Sequence, residues 1–166
     1  MLHVLSVQTR NKAGVLMRVA GLFARRGFNI DSLAVGTTEN PAMSRMTIVV
    51  EGDDRIIEQV TKQLYKLIDV VKIQDITDVP NVGRELVLFK VQVKPENRSE
   101  VMETMLHVFR ARIVDINNDS LMIEATGDGE KIEAMEAYLE PFGIKEMART
   151  GKVALTRGAK KGRRKL

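Results

Sequence analysis

The chain has 166 residues, of which 44% are hydrophobic, so it has room for one ordinary domain or two small ones with buried cores. It contains no cysteine, which excludes a disulfide framework, a thiolate nucleophile and a metal centre with cysteine ligands. Six of the 26 basic residues lie in a tail without acids, which leaves 20 basic against 22 acidic residues elsewhere. The rest of the chain is therefore mildly acidic, which argues against a nucleic-acid-binding face on the folded part.

We expect neither a membrane span nor a secretory signal. Charges interrupt the apolar runs well before the roughly 18 residues that a membrane span needs. The first seven residues lack the basic region, long apolar region and cleavage site of a signal peptide. Together with the lack of cysteine, these features predict a cytoplasmic protein.

The first half predicts six elements in the order strand, helix, strand, strand, helix, strand. Its first helix has apolar residues at i, i+1, i+4, i+7 and i+8, and Gly27 is expected to end it. These apolar residues are Val15, Leu16, Val19, Leu22 and Phe23. The predicted strands are 3–7, 29–36, 45–51 and 70–76. The second helix is expected to follow a cap at Asp53 or Asp54 and to bury Ile56, Val60, Leu64 and either Leu67 or Ile68.

The same order of elements restarts after a proline- and glycine-containing stretch, residues 79–83. The predicted strands are 86–93, 112–116, 121–125, 144–148 and 153–155. A helix over 97–110 is expected to bury Val101, Met105, Val108 and Phe109, and a second helix is expected to follow a cap at Asp128 and end at Pro141.

This repeated order predicts an α+β fold of two tandem ferredoxin-like βαββαβ domains, each with two helices on one face of a four-stranded antiparallel sheet. The predicted boundaries are 1–77 for the first domain, 78–84 for a linker and 85–158 for the second domain. Residues 159–166 are expected to be a disordered basic tail.

The chain offers few groups for catalysis. His3 and His107 have no evident partner and are interpreted as solvated or edge residues. The oxygen-rich stretch 115–119 lacks the glycine and glutamate of a calcium loop, and 127–131 lacks the spacing of a phosphate loop, so both are predicted to be turns. A ferredoxin-like RNA-binding domain would display aromatic residues on its central strands, and strands 45–51 and 121–125 contain none. A nucleic-acid-binding regulator that uses the basic tail remains the alternative function.

The stretch from Thr9 to Leu33 is the strongest candidate for a ligand site. A helix N-terminus offers unpaired N–H groups and partial positive charge to an anion, and Gly14 would let a ligand approach closely. Asn11 and Asn29 each carry a donor and an acceptor for a zwitterionic amino acid. The other interpretation is that Asn11 caps the helix and that Gly14 and Asn29 only form turns. The residues alone support both interpretations equally.

Several ordered segments resemble one known family. They are 11–16 (Asn-Lys-Ala-Gly-Val-Leu), 18–23 (Arg-Val-Ala-Gly-Leu-Phe), 26–33 (Arg-Gly-Phe-Asn-Ile-Asp-Ser-Leu), 44–47, 63–70, 84–86 and 148–158. The pattern resembles the acetolactate synthase (acetohydroxyacid synthase) small subunit, whose N-terminal part is an ACT domain. The resemblance covers residues 1–158 and leaves 159–166 outside.

The resemblance implies a regulatory subunit without an active site or cofactor of its own, acting in branched-chain amino acid biosynthesis. Its partner would be a separate catalytic large subunit that uses thiamine diphosphate, magnesium and FAD to condense pyruvate with pyruvate or 2-oxobutyrate. The small subunit would activate that partner and make it sensitive to feedback inhibition by valine or a related amino acid.

We further expect two chains to pair through their N-terminal sheets and to bind valine at the interface. Backbone donors near Gly14 would take the carboxylate, the asparagines would orient the amino acid, and apolar neighbours would hold the isopropyl group. The predicted effector-binding residues are Asn11, Lys12, Ala13, Gly14, Val15, Leu16, Asn29 and Ile30.

Overall fold

The computed structural model describes residues 1–158, so the predicted tail 159–166 lies outside the described residues. The chain forms two compact units. Unit 1 comprises Met1–Gly83 and the segment that begins at Lys152, and unit 2 comprises Arg84–Gly151.

Unit 1 is a four-stranded antiparallel sheet with two helices. Its elements are β1 (Leu2–Arg10), α1 (Val15–Arg26), β2 (Ile30–Thr37), β3 (Met43–Glu51), α2 (Asp54–Leu64) and β4 (Val70–Asp75). The strand order is β2-β3-β1-β4, so the two outer strands are β2 and β4. This is the predicted ferredoxin-like arrangement.

The core of unit 1 lies between the helices and one face of the sheet. Alternate residues of the central strands, such as Leu5 and Val7 on β1, point to the helices and are fully buried. Burying each large aliphatic side chain stabilises the fold by about 1.5 to 3 kcal/mol, against at most ~1 kcal/mol for an exposed ion pair. The core, rather than surface charge, therefore holds the unit together. The buried residues of α1 are Val15, Val19, Leu22 and Phe23.

Unit 2 repeats the pattern. Its elements are β5 (Asn81–Gln92), α3 (Arg98–Glu103), β6 (Arg112–Ile116), β7 (Ser120–Gly127), α4 (Gly129–Leu139) and β8 (Ile144–Arg149), and the chain then returns to unit 1 as β9 (Val153–Thr156). The order β6-β7-β5-β8 matches that of unit 1, and β9 pairs with β5.

The segment predicted as a linker, 78–84, includes the first four residues of β5. Its Pro80 does not interrupt the strand because it lies just before Asn81, and its carbonyl accepts the backbone N–H of Arg157 at 2.7 Å. The C-terminal strand, predicted as part of the second domain, belongs to unit 1. There Ala154 packs against the sheet face opposite the helices, with Val4, Val49 and Ile76.

The predicted helix over 97–110 is regular α-helix only over Arg98–Glu103. After α3 the chain makes a π-helical turn at Thr104–Val108, in which Phe109 donates to the carbonyl of Thr104. The extra residue of such a turn rotates the positions that follow it. Met105 is buried as predicted, whereas Val108, also predicted to be in the core, is 70% exposed.

The predicted local signals are confirmed at three helix ends. Asp53 accepts the N–H of Ile56 at 2.9 Å, and Asp128 accepts that of Lys131 at 3.0 Å. Gly27 ends α1 in the left-handed region at φ 68°. In α2 the buried residues are Ile57, Val60 and Leu64, and the predicted Ile56 and Leu67 are only partly buried against the same core. The helix stops at Leu64, and Ile68 beyond it is 82% exposed.

Candidate functional site

The loop 11–14 joins β1 to α1 at one end of the unit 1 sheet. Gly14 stands just before the helix with φ 81°, a conformation that favours glycine. A Cβ built on Gly14 meets no atom within 4 Å. The space in front of the helix start is therefore open, and the glycine is required by its backbone angle rather than by a neighbour.

The start of α1 has free donors. No side chain caps it, and its first turn carries no acidic residue. The N–H groups of Leu16 and Met17 have no partner within residues 1–158. A helix N-terminus carries roughly half a positive charge, so this end of α1 can accept a carboxylate.

Asn11 is not the helix cap. Its backbone N–H donates to the carbonyl of Ala42 at 2.8 Å, and its side-chain Nδ2 donates to the carbonyl of Pro41 at 3.0 Å. The loop 38–42 is itself braced by Asn40, whose Oδ1 accepts the N–H of Ala42 at 3.0 Å. Asn11 therefore anchors the loop before α1 to the β2–β3 loop, and it does not cap the first turn of the helix.

An ion pair also joins α1 to the residue before β4. Arg18 Nη2 donates to Asp69 Oδ2 at 2.6 Å, and Asp69 is 5% exposed. The carbonyl of Asp69 also accepts the N–H of Arg10 at 2.8 Å. One residue thus fixes both the strand that enters the loop 11–14 and the helix that leaves it. No local sequence pattern predicts this pair, because its members lie 51 positions apart.

The predicted site residues divide into two groups. Residues 11–16 lie together at the N-terminus of α1, whereas Asn29 and Ile30 follow its C-terminus. The 12 residues of α1 span about 18 Å at 1.5 Å per residue. The strand register confirms this separation. Ile30 and His3 both lie opposite Val50, at the end of the sheet where β1 begins, whereas the loop 11–14 follows the other end of β1. The two corners of one chain therefore do not enclose one ligand.

The apolar site residues also differ in exposure. Val15 is 4% exposed and belongs to the core, so its side chain is not on the open surface. Leu16 is 43% exposed beside the free donors, and Ile30 is half-buried. Leu16 is thus the aliphatic side chain that borders the open helix start.

The two edge strands of the unit 1 sheet, β4 and β2, differ in whether a side chain occupies their outer backbone groups. On β4, the hydroxyl of Tyr65 accepts the N–H of Ile73 at 3.1 Å and lies 3.4 Å from the Ile73 carbonyl oxygen. This side chain occupies the backbone groups that an added strand would need. Within residues 1–158, β2 pairs only with β3 and no side chain blocks its outer edge in this way. The β2 edge is the one open to pairing.

The histidine prediction is wrong for His3, which is 3% exposed and has Nδ1 3.1 Å from Asp75 Oδ2. The histidine is buried because β1 is a central strand, a property set by the whole sheet. Among residues 1–158 there is no group of three or more His, Cys, Asp or Glu residues placed to hold a metal ion. In the same part of the chain, no helix is long and apolar enough to cross a membrane.

Unit 1 combines a ferredoxin-like sheet with a glycine turn before its first helix, and the family model that matches it identifies the class as an ACT domain. A family model described as the AHAS small subunit-like ACT domain matches residues 5–72, and one described as the small subunit of acetolactate synthase matches residues 84–158. Together they cover most of the chain. The chain belongs to the acetolactate synthase small subunit family.

Relatives agree over nearly the whole length. A probable acetolactate synthase small subunit of Archaeoglobus fulgidus is 57% identical over 161 residues, covering 97% of this chain and all of the relative. One from Methanothermobacter thermautotrophicus is 52% identical over 159 residues, covering 95% of this chain and 94% of the relative. The crystal structure of the acetolactate synthase small subunit from Thermotoga maritima has a TM-score of 0.86 at 42% identity, covering 96% of this chain and 99% of that one.

Proposed function

We propose that this regulatory small subunit activates a catalytic acetolactate synthase large subunit and makes it sensitive to feedback inhibition by a branched-chain amino acid, with valine as the first candidate. The observation that carries this proposal is the open N-terminus of α1, where unpaired N–H groups lie beside Gly14 and the exposed Leu16. That arrangement suits a small molecule with a carboxylate and an aliphatic side chain.

The effector site is completed by a second copy of the chain. If two β2 edges pair antiparallel about the middle of the strand, Ile30 of one copy lies opposite Thr37 of the other. Thr37 pairs with Ser44, which also pairs with Thr9, so it lies at the end of the sheet that carries the loop 11–14. The pairing therefore brings Asn29 of the second copy towards the free donors before α1.

Each part of valine then has a counterpart. The carboxylate takes the N–H groups of Leu16 and Met17, Asn29 of the second copy orients the amino group, and Leu16 contacts the isopropyl group. Burying that group is worth roughly 1.5 to 3 kcal/mol, which selects aliphatic amino acids. One methylene is worth only about 1 to 3 kcal/mol, so isoleucine and leucine are expected to compete.

Catalysis belongs to the partner in this proposal. The large subunit would hold thiamine diphosphate, magnesium and FAD, and this chain would bind no cofactor. Both subunits would act in the cytoplasm, in branched-chain amino acid biosynthesis. Inhibition requires valine to bind the activating and inhibited arrangements of the complex with different affinity, and a coupling of about 1 to 3 kcal/mol is typical.

Reconstitution tests the proposal. The full chain is mixed with a thiamine-dependent acetolactate synthase large subunit, and acetolactate formation is measured with and without valine. We expect activity to rise with added small subunit and the increase to fall as valine is titrated. An activity that does not respond to the small subunit would refute the activating role, and activation that valine leaves unchanged would refute the effector role.

A further inference from the structure

A cavity of about 310 Å³ lies in unit 1 on the sheet face opposite the helices. It is bordered by β2, β3, the start of the β2–β3 loop and β9. The residues that matter here are Ala34, Gly36, Glu39, Arg45, Val153 and Leu155. Its volume is at the small end of the range for ligand sites, about 300 to 1,000 Å³.

The sheet separates this cavity from the helix start at Gly14. Successive residues of β3 point to opposite faces, and Met46 and Ile48 are buried under the helices. Arg45 and Thr47, which line the cavity, therefore point the other way. The cavity is a different place from the proposed effector site, and the inference does not depend on that proposal.

Arg45 supplies a positive charge to this cavity. Its Nη1 donates to Ser6 Oγ at 2.8 Å, and no carboxylate pairs with it within residues 1–158. A guanidinium has five N–H donors, of which this bond uses one. Arg45 is half-buried and held in place on a strand, so it is prepared to pair with an anion.

The walls beside Arg45 are aliphatic and open to solvent. Val153 is 53% exposed and Leu155 is 56% exposed, and Ala34 lines the opposite side. Two large aliphatic side chains that line the same cavity as an arginine are complementary to a ligand with one anionic end and one apolar end. Glu39 also lines the cavity, so its carboxylate is available to a ligand that carries a positive group besides the anion.

We propose that this cavity binds a short branched aliphatic carboxylate, with Arg45 pairing with the carboxylate and Val153 and Leu155 contacting the hydrocarbon. Two sources share this chemistry, a 2-amino acid and a 2-oxo acid. They differ at Glu39, which attracts an ammonium group and gives nothing to a ketone. The small subunit would thus carry a second ligand site on the opposite face of the same sheet.

The test titrates 3-methylbutanoate, 3-methyl-2-oxobutanoate and valine into the full chain, labelled at its valine and leucine methyl groups for NMR. The titrations use the Gly14→Asp background, in which the helix start is blocked, and Leu16 reports on that site. We expect saturable shifts at Val153 and Leu155 and none at Leu16.

Arg45→Gln is expected to weaken 3-methylbutanoate binding by about tenfold or more, since bonds to charged groups are the strong ones. Arg26→Gln removes an exposed arginine from the last turn of α1 and serves as the matched control, with no change expected. Gly36→Leu provides a second variant that keeps Arg45. A Cβ on Gly36 meets no atom within 4 Å, so the larger side chain can fill the cavity and is expected to abolish binding.

Glu39→Gln identifies the source. Weaker binding of valine in this variant, with unchanged binding of the 2-oxo acid, indicates an amino acid site. An oxo acid site is indicated if the wild type binds the 2-oxo acid more tightly than valine and the variant binds the 2-oxo acid equally well. Shifts that do not saturate, or binding that survives both Arg45→Gln and Gly36→Leu, would overturn the proposal. Methyl shifts that follow protein concentration and not added carboxylate would also overturn it, because a second copy would then cover the cavity.

Discussion

Arg18 and Asp69 are joined by an ion pair, with Nη2 2.6 Å from Oδ2, that ties the first turns of α1 to the start of β4. Asp69 is buried, whereas the Arg18 side chain is 53% exposed. The pair therefore has a fixed acceptor and a donor that reaches in from the surface. The backbone carbonyl of Asp69 also accepts the N–H of Arg10, so this residue is bonded to the chain on both sides of the loop 11–14.

Asp69→Asn keeps the shape of this side chain and removes its charge. We expect the free energy of unfolding to fall by about 1 to 2 kcal/mol, because a buried acceptor loses a charged donor that can return to water. Valine binding is expected to weaken as well. Urea unfolding and calorimetric titration measure the two effects. Glu58→Gln, which breaks the exposed pair with Lys62, is the control and should change neither. Equal effects of both variants would contradict the role of Asp69.

Gly14→Asp places a carboxylate where the carboxylate of valine is expected. Aspartate and asparagine both tolerate positive φ, so Gly14→Asn is a matched variant that adds nearly the same bulk without the charge. We expect Gly14→Asp to abolish valine inhibition while activation survives, and Gly14→Asn to reduce inhibition less. Inhibition assays of the reconstituted enzyme measure this. Valine inhibition of Gly14→Asp equal to that of the wild type would rule out the assignment.

The open edge of β2 and the blocked edge of β4 predict where two copies pair. Val35 on β2 and Val71 on β4 have similar exposure, 45% and 52%. Lysine on an edge strand opposes pairing with another strand. We expect Val35→Lys to convert dimers to monomers and Val71→Lys to leave them intact, as measured by sedimentation at several protein concentrations. Dimers lost only in Val71→Lys would place the interface on the other edge.

The contact between His3 and Asp75 is expected to make the stability of unit 1 depend on pH in the acid range. Burial opposes the charge of Asp75, but hydrogen bonds from Thr77 and His3 outweigh it and hold the pKa of that carboxyl below its ordinary value. A carboxyl whose pKa is lowered in the folded state stabilises the fold. This contribution is present above the pKa of the unfolded chain, about 3.9, and is lost as the pH falls through the pKa of the folded state.

Asp75→Asn is therefore expected to make the free energy of unfolding less dependent on pH below about pH 4. Urea unfolding across this range provides the measurement. Asp78→Asn, a nearby variant whose carboxylate forms no ion pair within residues 1–158, is the control. If both variants lose stability with the same slope as the wild type, Asp75 does not contribute.

Sequence patterns predicted the features that depend on neighbouring residues. The caps at Asp53 and Asp128 and the left-handed Gly27 follow from side-chain reach and backbone angle within a few positions. The order of strands and helices also predicted both ferredoxin-like sheets, because the hydrophobic periodicity of each element is visible in its own residues.

Features that depend on distant residues were not predictable in this way. The burial of His3 and the Arg18–Asp69 pair require the strand order, which brings together residues that are distant in sequence. The Tyr65 contact that blocks β4 spans only eight positions, but it depends on how the end of α2 packs on β4. The sequence placed Asn11 and Asn29 on either side of one helix, and only the length of α1 shows that they lie too far apart to hold one ligand in one chain.

The shared effector site can be tested most directly with mixed dimers. Gly14→Asp and Asn29→Ala chains are each expected to form dimers with two defective sites. In a dimer with one chain of each kind, one site receives both changes and the other receives neither. Calorimetric titration of valine into purified mixed dimers should therefore show wild-type affinity at one site per dimer. Mixed dimers that bind valine as poorly as either parent would contradict a site shared between two copies.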